Sequence, residues 1–503
     1  MFKIKNYLLA VCILFSFVMV TNAQDDLQKG KDAISKGDYV TAVDALSKAV
    51  ATKQNYETYY YYGLSLYKTG SLAKAEENLK KALSQDDEGI YAMITLGTLY
   101  SDQKKYDEAN SIFKKGLKIE PENINLMIAQ AQNFSQQGKI DEAIKSLTLA
   151  TTYSKENPKV YVGLGDAYKI RGSFKLAADY YKKAIALKKI PSAYTGLGDS
   201  YGKQRKYNEA LIEYDNAIIA DSNFAEAYFG KGKILYFGGK YQDAAESFKK
   251  FSQLMPGSQE GNSYYAKTLY AQATYMIERN QIEPGAEKLN EALKILDEVV
   301  KNDPKSIAGN LYTAYIYTEK ADLDETNKTD YLNKAIEFFN KVSIKDYDVE
   351  DLQKYAKVNT SLKNYDEAFK YYNNAVVKDS TDDDSETFYE WGKSLYKAEK
   401  YDEALEKFQK SIDLGKTNVF AKLYKGFCYY TQKKYEEAVP EFKSVVDADP
   451  KFLMAYEFLA RSYRFANKNE ESIKVYEQIL QMDPEHKEAL EMIKALNAKL
   501  KGN

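Results

Sequence analysis

Thirteen small residues constrain this chain more than any other feature. Ala42, Ala75, Ala109, Ala143, Ala177, Ala210, Ala244, Ala292, Ala335, Ala368, Ala404, Ala438 and Ser472 each stand early in an apolar-periodic stretch, usually just after an aromatic residue. Their successive spacings are 33, 34, 34, 34, 33, 34, 48, 43, 33, 36, 34 and 34 residues. A repeat of that size is one supersecondary unit that cannot bury its own apolar faces, so the chain must stack like units on one another.

The stretch from Ile90 to Asn123 gives the content of one unit. Met93, Leu96, Gly97 and Tyr100 share one helical face, a polar break at Asp102–Lys105 follows, and Tyr106, Ala109, Phe113 and Gly116 form a second face that Pro121 closes. Small residues at Gly63, Gly97, Gly165, Gly198, Gly232, Gly392 and Gly426 let helices approach. Phe113, Phe248, Phe339, Phe408 and Phe442 are expected to fill the space between successive units. Pro121, Pro256, Pro304, Pro450 and Pro484 stop the second helices.

This pattern resembles the tetratricopeptide repeat. The likeness is close at Tyr161, Leu164, Gly165, Tyr168, Ala177 and Tyr181, and again at Tyr194, Leu197, Gly198, Tyr201, Ala210 and Tyr214. It extends over nearly all of the chain after the first 23 residues. The resemblance implies an all-α fold, a right-handed α-solenoid superhelix of about 13 helix–turn–helix repeats.

Residues 1–23 read as a secretory signal, with Lys3 and Lys5 before an apolar run from Tyr7 to Val20 and Thr21-Asn22-Ala23 as a cleavage site. Cys12 lies inside that run after Val11, which is not the small residue that a lipoprotein anchor needs. No later segment approaches the roughly 20 apolar residues of a spanning helix. Without the signal, 69 basic side chains face 73 acidic ones, spread evenly, which leaves no footprint for nucleic acid or anionic membrane. Cys428 is then the only cysteine, so no intramolecular disulfide can form and stability rests on burial.

The long intervals place extra residues around Ser263–Pro284, where they lengthen a helix pair, and at the polar segment Ala321–Asp330. Two organisations satisfy this. In one, residues 24–258 form an array of about seven repeats, 259–345 are irregular repeats acting as an elbow, and 346–484 carry the C-terminal repeats. In the other, the longer helices stack without interruption. Pro440 falls inside a second helix and should kink it mildly. Residues 485–503 supply a capping helix and tail, with Leu490, Ile493, Leu496 and Leu500 on one face to cover the last repeat.

Catalytic chemistry finds little to work with. His486 is the one histidine, read as a surface residue at a helix start, and it cannot assemble a zinc site or a histidine-based triad. Carboxylates in the YDEA, YNEA and YEEA turns suit helix N-termini by dipole and capping. Asp382, Asp383 and Asp384 lack the spacing and glycine of a calcium loop and read as the entry to a helix near Ser385. No glycine-rich phosphate loop occurs, no cofactor is implied, and an enzyme is not expected. Asn133 and Asn327 sit in glycosylation sequons that would matter in a eukaryotic secretory route.

What remains is the surface of the first helices, which line the concave side of stacked repeats. Tyr60, Leu64, Tyr67, Tyr91, Ile94, Ile128, Val162, Phe229 and Tyr236 are the candidates in the N-terminal array. Tyr389, Tyr396, Phe420, Leu423, Phe427 and Tyr430 are those in the C-terminal array. Such side chains suit an extended peptide or a partner helix; with 46 tyrosines in the chain, they equally suit packing between repeats. Members of the resembled family grip a peptide's terminal carboxylate with lysines and asparagines, but the corresponding places here hold Tyr60 with Leu64, Ile94 with Thr98, and Ile128 with Gln132. The expected function is therefore a non-enzymatic scaffold of the bacterial cell envelope, exported to the periplasm or outer membrane, that binds a protein or peptide partner along the groove. A glycan-binding role in polysaccharide export, with tyrosines stacking on sugar rings, is the alternative.

Overall fold

The computed structural model describes residues 24–379, 385–415 and 419–502. The signal segment and the Asp382–Asp384 run lie outside the described residues. Within them the chain is built of α-helices in antiparallel pairs, divided into two compact units at Leu254/Met255. That boundary lies a few residues before the 258/259 limit that the first of the two organisations would set.

The first unit holds seven pairs. They are α1 (24–35) with α2 (Tyr39–Thr52), α3 (Tyr56–Lys68) with α4 (Leu72–Gln85), and α5 (Ile90–Asp102) with α6 (Tyr106–Ile119). Next come α7 (Ile124–Gln136) with α8 (Ile140–Tyr153), and α9 (Pro158–Ile170) with α10 (Phe174–Leu187). The last are α11 (Pro191–Lys203) with α12 (Tyr207–Ala220), and α13 (Ala225–Phe237) with α14 (Tyr241–Leu254). First helices of successive pairs pack on one another, as α5 does on α7 and α7 on α9. They form one continuous face.

The second unit holds six pairs and a final helix. Its first two pairs are the long ones, α15 (Gln259–Ile277) with α16 (Ile282–Asn302) and α17 (Ile307–Leu323) with α18 (Lys328–Phe339). After a 3-10 turn at Ile344–Asp346 follow α19 (Val349–Ser361) with α20 (Tyr365–Lys378), and α21 (Ser385–Lys397) with α22 (Tyr401–Leu414). Then come α23 (Val419–Thr431) with α24 (Tyr435–Ala448), α25 (Leu453–Phe465) with α26 (Asn469–Met482), and α27 (Lys487–Lys501). The long spacings in the sequence are thus longer helices in pairs that belong to the second unit. The segment Ala321–Asp330 is the end of α17 and a short turn, and α24 runs through Pro440.

All thirteen landmark residues are fully buried. Ser472, the one that is not alanine, satisfies its hydroxyl by donating to the Ala460 carbonyl at 2.9 Å. Phe339, Phe408 and Phe442 fill the space between successive pairs as expected, their rings packing on Tyr355, Tyr424 and Phe458 of the next pair at 4.8, 5.6 and 5.6 Å. Of the five residues expected there, all but Phe339 also seat on the glycine sixteen residues earlier in their own pair: a Cβ on Gly97 would stand 2.5 Å from the Phe113 ring, on Gly232 2.8 Å from Phe248, on Gly392 2.6 Å from Phe408, and on Gly426 2.7 Å from Phe442. Some also reach the next pair, since a Cβ on Gly196 would lie 2.4 Å from Tyr181. Close-packed interiors require this matching of a missing side chain to a large one.

The turn inside each pair has a common form. In the third pair, the Lys105 N–H donates to the Tyr100 carbonyl at 2.8 Å and the Lys104 N–H to the Ser101 carbonyl at 2.9 Å, with Lys104 at φ 61°. This is the six-to-one closure that needs a left-handed residue after a helix. Gly37, Gly70, Gly138, Gly172 and Gly239 fill that position without cost, while Arg205, Lys363, Glu399 and Lys433 hold it despite a Cβ. No atom lies within 4 Å of a Cβ on Gly172, so substitution there tests the backbone alone. Gly172→Ala is expected to destabilise by about 1 kcal/mol and Lys433→Gly to stabilise by about 0.5 kcal/mol, read by amide exchange in the flanking helices. Equal effects of both would show that the turn is not strained.

The acidic turns also differ from expectation in part. Lys105, Lys139, Lys206, Lys400, Lys434 and Lys468 occupy the N-cap positions of second helices, with no side-chain cap hydrogen bond. The carboxylates, such as Asp107 and Glu108, lie inside the first turn. They act on the helix dipole and not as caps.

Candidate functional site

The candidate groove residues lie on the first-helix faces, and the structure places them unequally. Tyr91 and Phe420 are 64% and 57% exposed and present open rings. Tyr60 is half-buried among Tyr56 (6.0 Å, stacked), Tyr61 (4.9 Å) and Tyr91 (6.1 Å), and burial pushes its phenol up to about 12. The Tyr67 hydroxyl donates to Asp102 on the next first helix. Leu64, Ile94, Ile128 and Val162 are half-buried against the core. Phe229 lies between Phe248 and Phe251 with the Lys233 ammonium 5.0 Å from its centroid, and Tyr236 packs on Phe237 and Tyr241.

In the second unit the groove reading needs correction at Leu423. It is 4% exposed, inside the core of α23–α26, because its position faces the next pair and not solvent. Phe427 is wedged among Tyr424, Phe442 and Phe458, and Tyr430 among Tyr435, Phe458 and Phe465. Tyr389 and Tyr396 both pack against Tyr424. These rings spend their faces and edges on each other, as aromatic pairs prefer.

The structure assembles a different feature in the first unit. A cavity of about 520 Å³, open to solvent, lies over α9, α11 and α13. Lys169, Asp199, Lys203 and Lys233 supply its charges, and Phe174, Tyr207, Ile234 and Phe237 its apolar wall. Phe237 is 71% and Tyr207 51% exposed. Asp199 is fully engaged: Lys169 Nζ reaches one carboxylate oxygen at 2.8 Å, and the Tyr214 hydroxyl donates to the other at 2.7 Å. One pair earlier, the Tyr181 hydroxyl donates to Asp166 at 2.6 Å. Burial raises the Asp166 pKa, with the Tyr181 hydrogen bond and the Lys169 charge opposing. Burial beside these carboxylates also drives both phenols far up, so Tyr181 and Tyr214 remain neutral donors.

A sequence signal for this site existed and was missed. In the first unit, the two pairs whose large residue is tyrosine, Tyr181 and Tyr214, are those that carry aspartate after the glycine, as Gly165-Asp166 and Gly198-Asp199. The ring seats on the glycine and its hydroxyl reaches the next residue's carboxylate. Reading the charged positions of first helices in register would have brought Lys169, Asp199, Lys203 and Lys233 together.

Other sequence readings change as well. His486 is not a plain surface residue: its Nδ1 accepts from the Ala489 N–H at 3.3 Å as the N-cap of α27, and its Nε2 lies 3.1 Å from Glu457. Asn133 is fully buried, receives the Ser101 hydroxyl at 2.8 Å and donates to the Tyr106 carbonyl at 3.2 Å, so its sequon is inaccessible in the folded chain. On α27, Ala489 and Leu496 are buried, while Leu490 and Leu500 are 41% and 40% exposed. Cys428 is buried, which pushes its thiol up to about 12. Among the described residues no three His, Cys, Asp or Glu side chains converge as metal ligands, and no helix is long and apolar enough to cross a membrane.

Family models described as tetratricopeptide repeat match residues 27–90, 128–193 and 195–257, residues 66–132, and residues 455–486. Together they span more than half of the chain. It belongs to the tetratricopeptide repeat family. A model described as anaphase-promoting complex, cyclosome, subunit 3 matches residues 361–445. A TPR repeat-containing protein of Methanocaldococcus jannaschii is 24% identical over 293 residues, 56% of this chain and 44% of that relative, so the chain spans less than half of the relative's length. Among solved structures, a tetratricopeptide repeat protein from Parabacteroides merdae is 20% identical with TM-score 0.42, covering 50% of this chain and 99% of that one. The hetero-tetramer Cut9-Hcn1 of the APC/C is 14% identical with TM-score 0.37, covering 93% and 95%. As a tetratricopeptide repeat protein, this chain has the architecture of a protein-interaction scaffold.

Proposed function

We propose that this tetratricopeptide repeat protein is a non-catalytic scaffold of the bacterial cell envelope, exported by residues 1–23, that holds a partner protein on its first-helix faces. The cavity over α9, α11 and α13 carries this reading: it joins fixed charges to an apolar wall, the combination that orients an extended chain. A protein ligand is favoured over a glycan because groove rings such as Tyr60, Phe427 and Tyr430 pack by face or edge against other rings, and sugar stacking needs free ring faces.

Site-specific photo-cross-linking in the native envelope tests it. A photoreactive residue at Tyr91 or Phe237 is expected to trap one defined protein, while one at Ile219 or Val377, exposed on second helices, is expected to trap none. Trapping only from Ile219 or Val377 would refute the choice of face. Fractionation that leaves the chain in the cytoplasm would refute the envelope assignment.

A further inference from the structure

Helix α27 starts on the one histidine of the chain, and both ring nitrogens of that histidine are engaged. The Ala489 N–H donates to His486 Nδ1 at 3.3 Å, so Nδ1 carries no proton and serves as the N-cap acceptor of α27. The one ring proton then sits on Nε2 and points at Glu457 on α25, 3.1 Å away. This neutral tautomer satisfies both partners. A second ring proton would set Nδ1–H against the Ala489 N–H, donor against donor. It would also place a positive charge at a helix N-terminus, where the dipole repels it.

The surrounding charges decide how that conflict resolves. Glu457 favours a charged ring, but its other oxygen lies 3.8 Å from the Arg461 guanidinium and its side chain is partly open to water, so the ion pair that it offers is weak. The other titratable or charged groups about the ring are Arg461 and Arg464 on α25, Tyr476 on α26, Asp483 and Glu485 in the turn, and Lys487 and Glu488 on α27 itself. Glu488 is the second anchor of the same turn. It accepts the Arg461 Nε–H at 2.8 Å and a further bond from that guanidinium, and the Tyr476 hydroxyl donates to it at 3.3 Å. Arg461 holds this carboxyl below the usual carboxylate range, so it stays ionised in mildly acid solution. Because Glu488 stands two residues after the cap, fraying of the first turn loosens both anchors together. Farther along, Ala489 and Leu496 share a buried cluster with Tyr476 and Ile479 of α26.

We infer that His486 is a pH-sensitive latch: with a neutral ring it caps α27 against the α25–α26 pair, and on protonation in mildly acid solution it releases the first turn of that helix and frees Arg461 and Tyr476. The fastened state binds fewer protons than the released one. Its hold is therefore full above the range in which imidazole titrates, about pH 5 to 8, and is lost as pH falls through that range. The latch goes beyond the scaffold reading and does not depend on it.

Amide exchange of the full chain at about pH 7.5 and about pH 5.5, corrected for intrinsic rates, tests it. Protection of α27 is expected to fall about tenfold between the two, as a cap is lost and the helix dipole is opposed. His486→Asn caps but does not titrate, and should keep α27 protected at both values. His486→Ala should leave it equally loose at both. Glu457→Gln keeps an acceptor for the Nε2 proton without the charge that favours imidazolium, and should make the fall steeper. The inference is overturned if protection in the parent is unchanged or rises on acidification, if His486→Asn loses protection with pH as the parent does, or if Glu457→Gln flattens the fall. Asp166, Glu319 and Asp351, the carboxyls that burial raises, stand on α9, α17 and α19, so their own response to pH registers in other helices.

Discussion

Phe113→Ala is expected to destabilise the third helix pair by about 3–5 kcal/mol, because it removes a fully buried ring and leaves a cavity that rigid neighbours cannot close. The ring sits where Gly97 has no side chain, so the two positions act as one unit. Gly97→Ala alone drives a Cβ to 2.5 Å from that ring and should cost about 1–3 kcal/mol. The double variant is expected to fall well short of the sum, since the new methyl enters space that the ring has vacated. Amide exchange in α5 and α6 is the right measurement: stacked repeats open locally, and a global melting curve would dilute the effect. Additive losses would mean that the ring and the glycine are independent.

Tyr315→Phe should show the second largest effect, and one that depends on pH. Asp351 is 5% exposed, and the Tyr315 hydroxyl donates to it while the Asp348 N–H donates at 2.7 Å. Burial raises its carboxyl pKa against the pull of those bonds. A carboxyl raised in the folded state binds more protons there than in the unfolded chain, so its stabilising contribution is full at low pH. That contribution is lost as pH rises from the unfolded value of 3.8 through the folded one. Removing the hydroxyl strips a donor from the ionised form, with an expected cost of about 2 kcal/mol at neutral pH and about 1 kcal/mol near pH 4. The phenylalanine keeps the ring over which Lys354 sits at 4.5 Å, so packing is preserved. Urea unfolding at the two pH values reads the difference. A loss that is the same at both would place the ionised carboxylate outside the mechanism.

The candidate site was legible only in part, for reasons particular residues make clear. Tyr91 and Phe420 were placed on an open face by helical register alone, and they are open. Leu423 stands in the register of Ile94, Ile128 and Val162, which are half-buried, and is itself buried, because the packing of the next pair, and not only the position within its own helix, decides how far a first-helix residue meets solvent. Tyr430 and Phe427 suit groove surface and packing between repeats equally by sequence, and in the structure each meets several rings from neighbouring helices. Asn133 matched a modification motif whose use requires exposure, and its amide is enclosed by Ser101 and Tyr106.

The sequence by itself determined the repeat, its length, the two-helix content of each unit and the count of thirteen. These follow from local periodicity and from small residues that tolerate no enlargement at helix contacts, as the full burial of Ala42 through Ser472 attests. It also determined where second helices end, since Pro121, Pro304, Pro450 and Pro484 each follow directly on the residue that closes one. Only the tertiary structure decided which rings seat on which glycines, and that Lys169, Asp199, Lys203 and Ile234, from three first helices, surround one cavity. Local propensity acts within a few residues, whereas these meetings depend on how pairs some 34 residues apart settle against each other. That settling is set by the summed shapes of side chains on both sides of each interface.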